Sequence, residues 1–404
     1  MSPLKISWKS IWSKPLSSAL NIILIAFGTG ILTILLLASK QISDKLENNS
    51  KDIDLVVGAK GSPLQLILSS IYYIDFPTGN IPLKEAEELA RSPFVKKAVP
   101  LALGDNYNGV RIVGTDSNFV GIYKLKVKEG KFWQIDFETT IGTSVAENLK
   151  LKIGDTFYGA HGLAGSTDVH KTHAYKVSGI LAPQGNVTDN LILTNISSVW
   201  KMHDPEEEKE HNHRTDKNEA PEIENKEITS LLIQYRSPMS VVMFPRMVNE
   251  STNMQAASPA QESTRLFSLI GVGVDTLQWF AVLIMFIAAI SVFVNLYNSL
   301  KERSYDLAIM RTLGASRGKL FLIVIAEGIM LTLAGTLIGI ALGHFALQFI
   351  GGNQESSQAR LSGFIFLGQE AYLFVAGLAI GIFAAIIPAV QAYRSNISKI
   401  LSKN

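Results

Sequence analysis

LSSALNIILIAFGTGILTILLLAS, residues 16–39, carries no charged side chain from end to end. An α-helix needs about 20 apolar residues to cross a hydrocarbon core, where every backbone N–H and C=O must be paired within the segment. The stretch therefore reads as a membrane span. Three further apolar runs, at 277–296, 320–350 and 372–393, meet the same criterion, and a long polar middle separates the first run from the second. The expected fold is that of a membrane protein: four transmembrane α-helices, with a large mixed α/β extracytoplasmic domain between helices 1 and 2.

Composition agrees. With 47% hydrophobic and 18% charged residues, the chain is too apolar for a soluble protein of this length and too polar for a bundle of spans alone. A net charge of +2 makes no case for nucleic acid as a partner. The placement of the cations is more telling. Lys5, Lys9 and Lys14 precede the first span; Lys301, Arg303, Arg311, Arg317 and Lys319 lie between the second and third; Arg394, Lys399 and Lys403 follow the fourth. By the positive-inside rule these segments and both termini face the cytoplasm. The first run is longer than a signal-peptide core and is expected to remain as an anchor. The absence of cysteine is compatible with an outer domain built without disulfides.

Ahead of the first span, Leu4, Trp8, Ile11 and Trp12 share one helical face, as in an interfacial amphipathic helix. In the outer domain, 84–91 reads as a short helix, and 95–103, 110–114, 175–181 and 190–195 as strands. Two lobes joined near 159–173 are expected. Residues 259–269 read as a helix leading back to the membrane, with Gly271 and Gly273 as either hinges or packing sites. The apolar run 56–74 is either buried or laid against membrane lipid.

The most specific stretch is KERSYDLAIMRTLGASRGK, residues 301–319, leading into a third span that carries Glu327. It reads as a short helix stopped by Gly314, with Leu307, Ile309, Met310 and Leu313 forming an apolar side suited to docking in a partner's groove. This stretch resembles the signature of the FtsX/MacB/LolC-LolE class (type VII, mechanotransmission) of ABC transporter permeases. Other segments resemble that class in the same order. Residues 141–149 (IGTSVAENL), 153–155 (IGD) and 177–181 (VSGIL) are similar to the MacB-like periplasmic core, and Pro388-Ala389 with Ala392-Tyr393-Arg394 to the closing motif.

The resemblance implies a permease of the bacterial inner membrane that pairs with a second copy or a paralogue. A separate cytoplasmic ABC ATPase, holding ATP and Mg²⁺, would drive it through Tyr305, Asp306, Leu307, Met310, Arg311, Leu313 and Gly314. Cargo would be a hydrophobic or envelope molecule such as a lipoprotein, lipid, peptide or drug. Periplasmic adaptor, lipoprotein or outer-membrane partners are also implied.

On that reading the chain divides as follows: 1–15, cytoplasmic amphipathic helix; 16–40, first span; 41–266, MacB-like outer domain; 267–299, stalk end and second span; 300–319, coupling helix; 320–350, third span; 351–369, outer loop; 370–394, fourth span; 395–404, cytoplasmic tail.

No catalytic residue is expected. A P-loop sets four residues between its glycines and a Ser or Thr after its Lys. Gly314 to Leu320 has three between and a Leu after, and Gly58-Ala59-Lys60-Gly61-Ser62 also lacks the spacing. The one metal pattern is His203, His211 and His213 in an acidic segment, with His161, His170 and His173 in another loop; imidazoles beside carboxylates suit Zn²⁺. Met239, Met243 and Met247 read as core around Pro238 and Pro245 rather than as copper ligands. Glu327 is expected to find a basic or polar partner on a neighbouring element, and His344 to pack or hydrogen-bond. The alternatives to a transporter are a permease linked to zinc handling and an FtsX-like regulator of an outer partner that transports nothing.

Overall fold

The computed structural model describes residues 2–162, 172–203, 226–352 and 361–394. His170, His211 and His213 lie outside them. In chain order the elements are helices α1 (Pro3–Ser13) and α2 (Pro15–Ser50); β1 (Leu55–Ala59), α3 (Pro63–Ser70), β2 (Ile81–Pro82) and α4 (Leu83–Ala90); β3 (Val95–Tyr107), β4 (Val110–Thr115) and α5 (Ser117–Tyr123); β5 (Val127–Gly130), β6 (Glu138–Ile141) and α6 (Thr143–Leu149). They continue with β7 (Thr156–Phe157), β8 (Ala160–His161), β9 (Tyr175–Leu181), β10 (Ile192–Asn195), α7 (Ile196–Met202), β11 (Glu227–Ile228), β12 (Ser230–Tyr235), α8 (Ser240–Ser251) and β13 (Met254–Ala257). The last helices are α9 (Pro259–Glu302), α10 (Ser304–Thr312), α11 (Arg317–Gly352) and α12 (Ala371–Arg394).

Two compact units emerge: Met1–Ile42 with Leu269–Asn404, and Ser43–Ser268. The first is the membrane unit. Helices α2, α9 and α11, and the stretch Gly368–Arg394 that contains α12, are long and apolar enough to cross a bilayer. With no hydrophobic force to hold helices together in lipid, close backbone packing takes over. Along α11, Gly335, Gly339 and Gly343 form a stripe against Ile25, Thr29 and Thr33 of α2; a Cβ on Gly339 would fall 1.8 Å from the Thr29 hydroxyl. Gly328 meets Ala385 and Gly381 of α12 in the same manner. The expected partner for His344 is also present: its Nδ1 lies 2.6 Å from the Gly363 carbonyl and its Nε2 3.0 Å from Glu370, both side chains buried. Helix α9 runs unbroken past Gly271 and Gly273, and among the described residues neither has a neighbour within 4 Å of an added Cβ.

The second unit is built on an 11-stranded sheet, ordered β13-β1-β12-β3-β4-β10-β6-β9-β5, with β7 on β9 and β8 on β3; β2 and β11 form a separate pair. Alternation puts side chains on both faces. In β1, Val56 joins one core with Val99, Leu101 and Leu232, while Leu55 and Val57 join another with Leu231, Ile233 and Phe244. One sheet runs through the unit, with β3 pairing β12 along its first half and β4 along its second, and β8, within the stretch 159–173, pairs with β3. Most of the apolar run 56–74 is core: Val56, Leu66, Ile67 and Ile71 are fully buried, which removes them from lipid, while Ile74 at its end is exposed. Helix α8 continues through Pro245 because Phe244 and Val248 anchor it in the core, whereas Met239 and Met243 are exposed rather than buried.

Candidate functional site

The segment predicted to face the cytoplasm and meet a partner there is a helical corner. Helix α9 ends at Glu302, Arg303 takes a non-helical conformation, and α10 follows. Gly314 then closes α10 with φ +96, its N–H bonding Arg311 O at 3.1 Å and the N–H of Ala315 bonding Met310 O at 2.9 Å. This is a Schellman stop, which needs a residue free to take positive φ. Ser316 restarts the chain as α11, its hydroxyl accepting from the N–H of Lys319 at 3.3 Å.

The faces of α10 differ from the expected ones. Leu307 is 7% exposed and packs with Leu320, Ile323, Val324, Ala389 and Ala392, and Met310 lies against the same cluster. These two side chains therefore turn toward the chain's own core rather than outward, Leu307 buried and Met310 partly so. The outward crest is Tyr305, Ile309 and Leu313, the last 82% exposed, at four-residue spacing with Asp306 beside it. Arg311 is half-buried, and its Nε and Nη1 have no hydrogen-bond partner among the described residues.

Helix α1 is locked into this corner by a polar face that its amphipathic pattern did not reveal. Trp8 and Trp12 are exposed, while Ser7 and Ser10 are buried. The Ser7 hydroxyl donates to Ile323 O at 2.8 Å, and that of Ser10 donates to the buried Glu327 carboxyl. Arg303 in turn donates to the Ser10 hydroxyl, to Ser10 O at 3.1 Å and to the Ser13 hydroxyl, and Lys14 pairs with Glu302. Glu327 thus has the expected polar partner, with the Arg303 guanidinium one hydroxyl away. The arrangement ties α1, the end of α9 and α11 into one node beside α10.

In the outer unit, His203 is brought to Asp105 and His161. Strand β8 sets His161 directly across from Asp105 of β3, and a register shift in β3 between Leu103 and Asn106 turns this part of the strand. Asn106 holds β8 in place by donating to Ala160 O at 3.0 Å and Gly162 O at 2.9 Å. His203 caps the C-terminus of α7. Asp105 Oδ1 lies 3.3 Å from His203 Nε2 and 3.5 Å from His161 Nδ1, and the imidazoles are 4.9 Å apart between ring centroids. Its hydrogen bond with Asp105 holds the His203 imidazole above its usual pKa, against the opposing pull of burial. Nothing in the sequence around Asp105 marked it for this cluster.

Comparison with known proteins places both units. Residues 18–243 match the MacB-like periplasmic core domain, and residues 279–397 match the FtsX-like permease C-terminal family. The lipoprotein-releasing system transmembrane protein LolE of Haemophilus influenzae is 33% identical over 138 residues, which cover 30% of this chain and 33% of that protein. The matched region thus spans about a third of its relative's length. Among solved structures, the periplasmic region of MacB from Actinobacillus actinomycetemcomitans aligns at 10% identity and TM-score 0.34, covering 55% of this chain and 97% of that one. The extracellular domain of the noncanonic ABC-type transporter YknZ from Gram-positive bacteria aligns at 14% identity and TM-score 0.31, covering 50% and 98%. Because the MacB-like core covers more than half of the sequence and is followed by the FtsX-like region, the chain belongs to the FtsX/MacB/LolC-LolE type of ABC permease.

Proposed function

We propose that this chain is the membrane subunit through which a separate cytoplasmic ABC ATPase, bound at α10, moves an outer domain to extract or export a hydrophobic envelope molecule. The observation that supports this reading best is the two-sided character of α10. Its inner side is fixed in the permease core by Leu307, while its outer side presents Tyr305, Ile309 and Leu313 with no partner among the described residues. An apolar crest anchored from behind transmits displacement of a docked partner to α9 and α11 instead of absorbing it. Arg311 supports the same reading, since guanidinium nitrogens kept from water without an acceptor are costly, and a partner's acidic or carbonyl oxygen would satisfy them. Through the Ser10–Glu327 and Arg303 contacts, α1 would move with the corner. In this role the chain is non-catalytic, and ATP with Mg²⁺ belongs to the partner. Lipoprotein is the favoured cargo, by likeness to a protein named for lipoprotein release. A second permease chain would complete the transporter.

The test is co-purification from native membranes in mild detergent, with the ATPase rate of the eluate measured. Leu313→Asp should remove the ATPase from the complex while leaving the amount of membrane-inserted permease unchanged. Undiminished ATPase recovery and rate in Leu313→Asp and in Tyr305→Asp would sink the assignment of α10.

A further inference from the structure

We infer that Asp105, His161 and His203 form a binding site for a single divalent transition-metal ion, with zinc the best match, in the outer domain. The inference stands apart from ATPase coupling and uses none of the residues of the cytoplasmic corner.

The distances carry it. Zn²⁺ bonds to imidazole nitrogen and carboxylate oxygen are about 2.0–2.1 Å long, so two ligand atoms at tetrahedral positions lie about 3.3 Å apart. Asp105 Oδ1 is 3.3 Å from His203 Nε2 and 3.5 Å from His161 Nδ1. The donor atoms of all three residues lie within 4.8 Å of one another, so one ion can be reached by all three.

The chemistry of the donors agrees. Two imidazoles and one carboxylate are a borderline set that suits zinc and its first-row neighbours rather than Ca²⁺ or Mg²⁺, which take oxygen. Three protein ligands also leave a fourth position for water or an incoming group. Asp105 is 1% exposed, and a carboxylate so deep gains more from a divalent cation than a surface one would. The side chains of His161 and His203 are 43% and 33% exposed, which gives the ion a route in.

The scaffold is preorganised. The ligands come from β3, from β8 directly across from it and from the C-terminal cap of α7, and Asn106 fixes β8 independently of the ion. A bound ion would cross-link three elements that are far apart in sequence, and would stiffen that part of the outer domain.

The test uses the full chain in detergent, with an affinity tag free of histidine. After treatment with a chelator, zinc is titrated against a chromophoric competitor, and Co²⁺ is added separately so that its visible absorption reports coordination geometry. One zinc per chain is expected, together with the intense visible bands of four-coordinate Co²⁺. His161→Gln and His203→Gln should each weaken zinc at least about tenfold, and His211→Ala/His213→Ala should leave it unchanged. The Gln variants keep a hydrogen-bonding group of similar reach, and thermal melting checks that they fold. Absence of stoichiometric zinc would leave Asp105 with imidazole hydrogen bonds only and overturn the site. So would zinc that survives both Gln variants and disappears in the His211→Ala/His213→Ala chain.

Discussion

Ser10 connects two charges that would otherwise sit badly in the membrane unit. Its hydroxyl donates to Glu327 and receives the Arg303 guanidinium, which also reaches Ser10 O and the Ser13 hydroxyl. Hydrogen bonds to charged groups contribute about 1.5–3 kcal/mol, and losing one partner of a buried pair also strands the other. Ser10→Ala is therefore expected to destabilise the chain by about 1–3 kcal/mol. In a cycle with Glu327→Leu the two effects should fail to add, by about 0.5–3 kcal/mol. Thermal or denaturant unfolding of the four variants in detergent measures this, and additivity within about 0.5 kcal/mol would mean that the two side chains are mere neighbours. Lys cannot replace Arg303 without loss, because only the planar fork serves both serines at once.

At the scale of the helix, the inner and outer faces of α10 make opposite demands. Leu307→Ala removes a buried side chain from the cluster with Leu320 and Val324 and is expected to cost about 2–5 kcal/mol. Leu313→Ala, at a site 82% exposed, should change stability by no more than about 0.5 kcal/mol. Equal losses of melting temperature in the two variants would contradict the assignment of faces. The sequence could locate this helix and its stop at Gly314, but not its orientation. Leu307 and Met310 on one side, and Tyr305, Ile309 and Leu313 on the other, are all apolar, so periodicity cannot tell which side meets Ala389 and Ala392. Helix α1 shows the same ambiguity in reverse. Its tryptophans drew attention as the amphipathic face, while Ser7 and Ser10, unremarkable in sequence, make the tertiary contacts. The four spans and strands such as β4 and β9 were legible because their patterns are local. Asp105 was not, because its place opposite His161 depends on strand register.

For the whole molecule, an even number of spans fixes which segments share a compartment, and the cations fix which compartment that is. If all four helices cross, α1 and the α10 corner are expected on one side and residues 43–268 on the other. Lys5, Lys9 and Lys14 before the first crossing, with Lys301, Arg303, Arg311, Arg317 and Lys319 between the second and third, predict by the positive-inside rule that the former faces the cytoplasm. The absence of native cysteine makes this directly measurable, since any introduced thiol is the only one in the chain. Lys9, Glu88, Lys128 and Lys319 are all exposed, so a cysteine at any of them is accessible to reagent on its own side. In intact spheroplasts a membrane-impermeant maleimide should label Glu88→Cys and Lys128→Cys at once, and Lys9→Cys and Lys319→Cys only after permeabilisation. The inverse pattern would reverse the orientation and place α10 beyond reach of any cytoplasmic ATPase. Labelling that separated Lys9 from Lys319 would break the count of crossings itself, because the candidate spans between those two positions are α2 and α9, and the positions fall on opposite sides only if one of the two helices fails to cross.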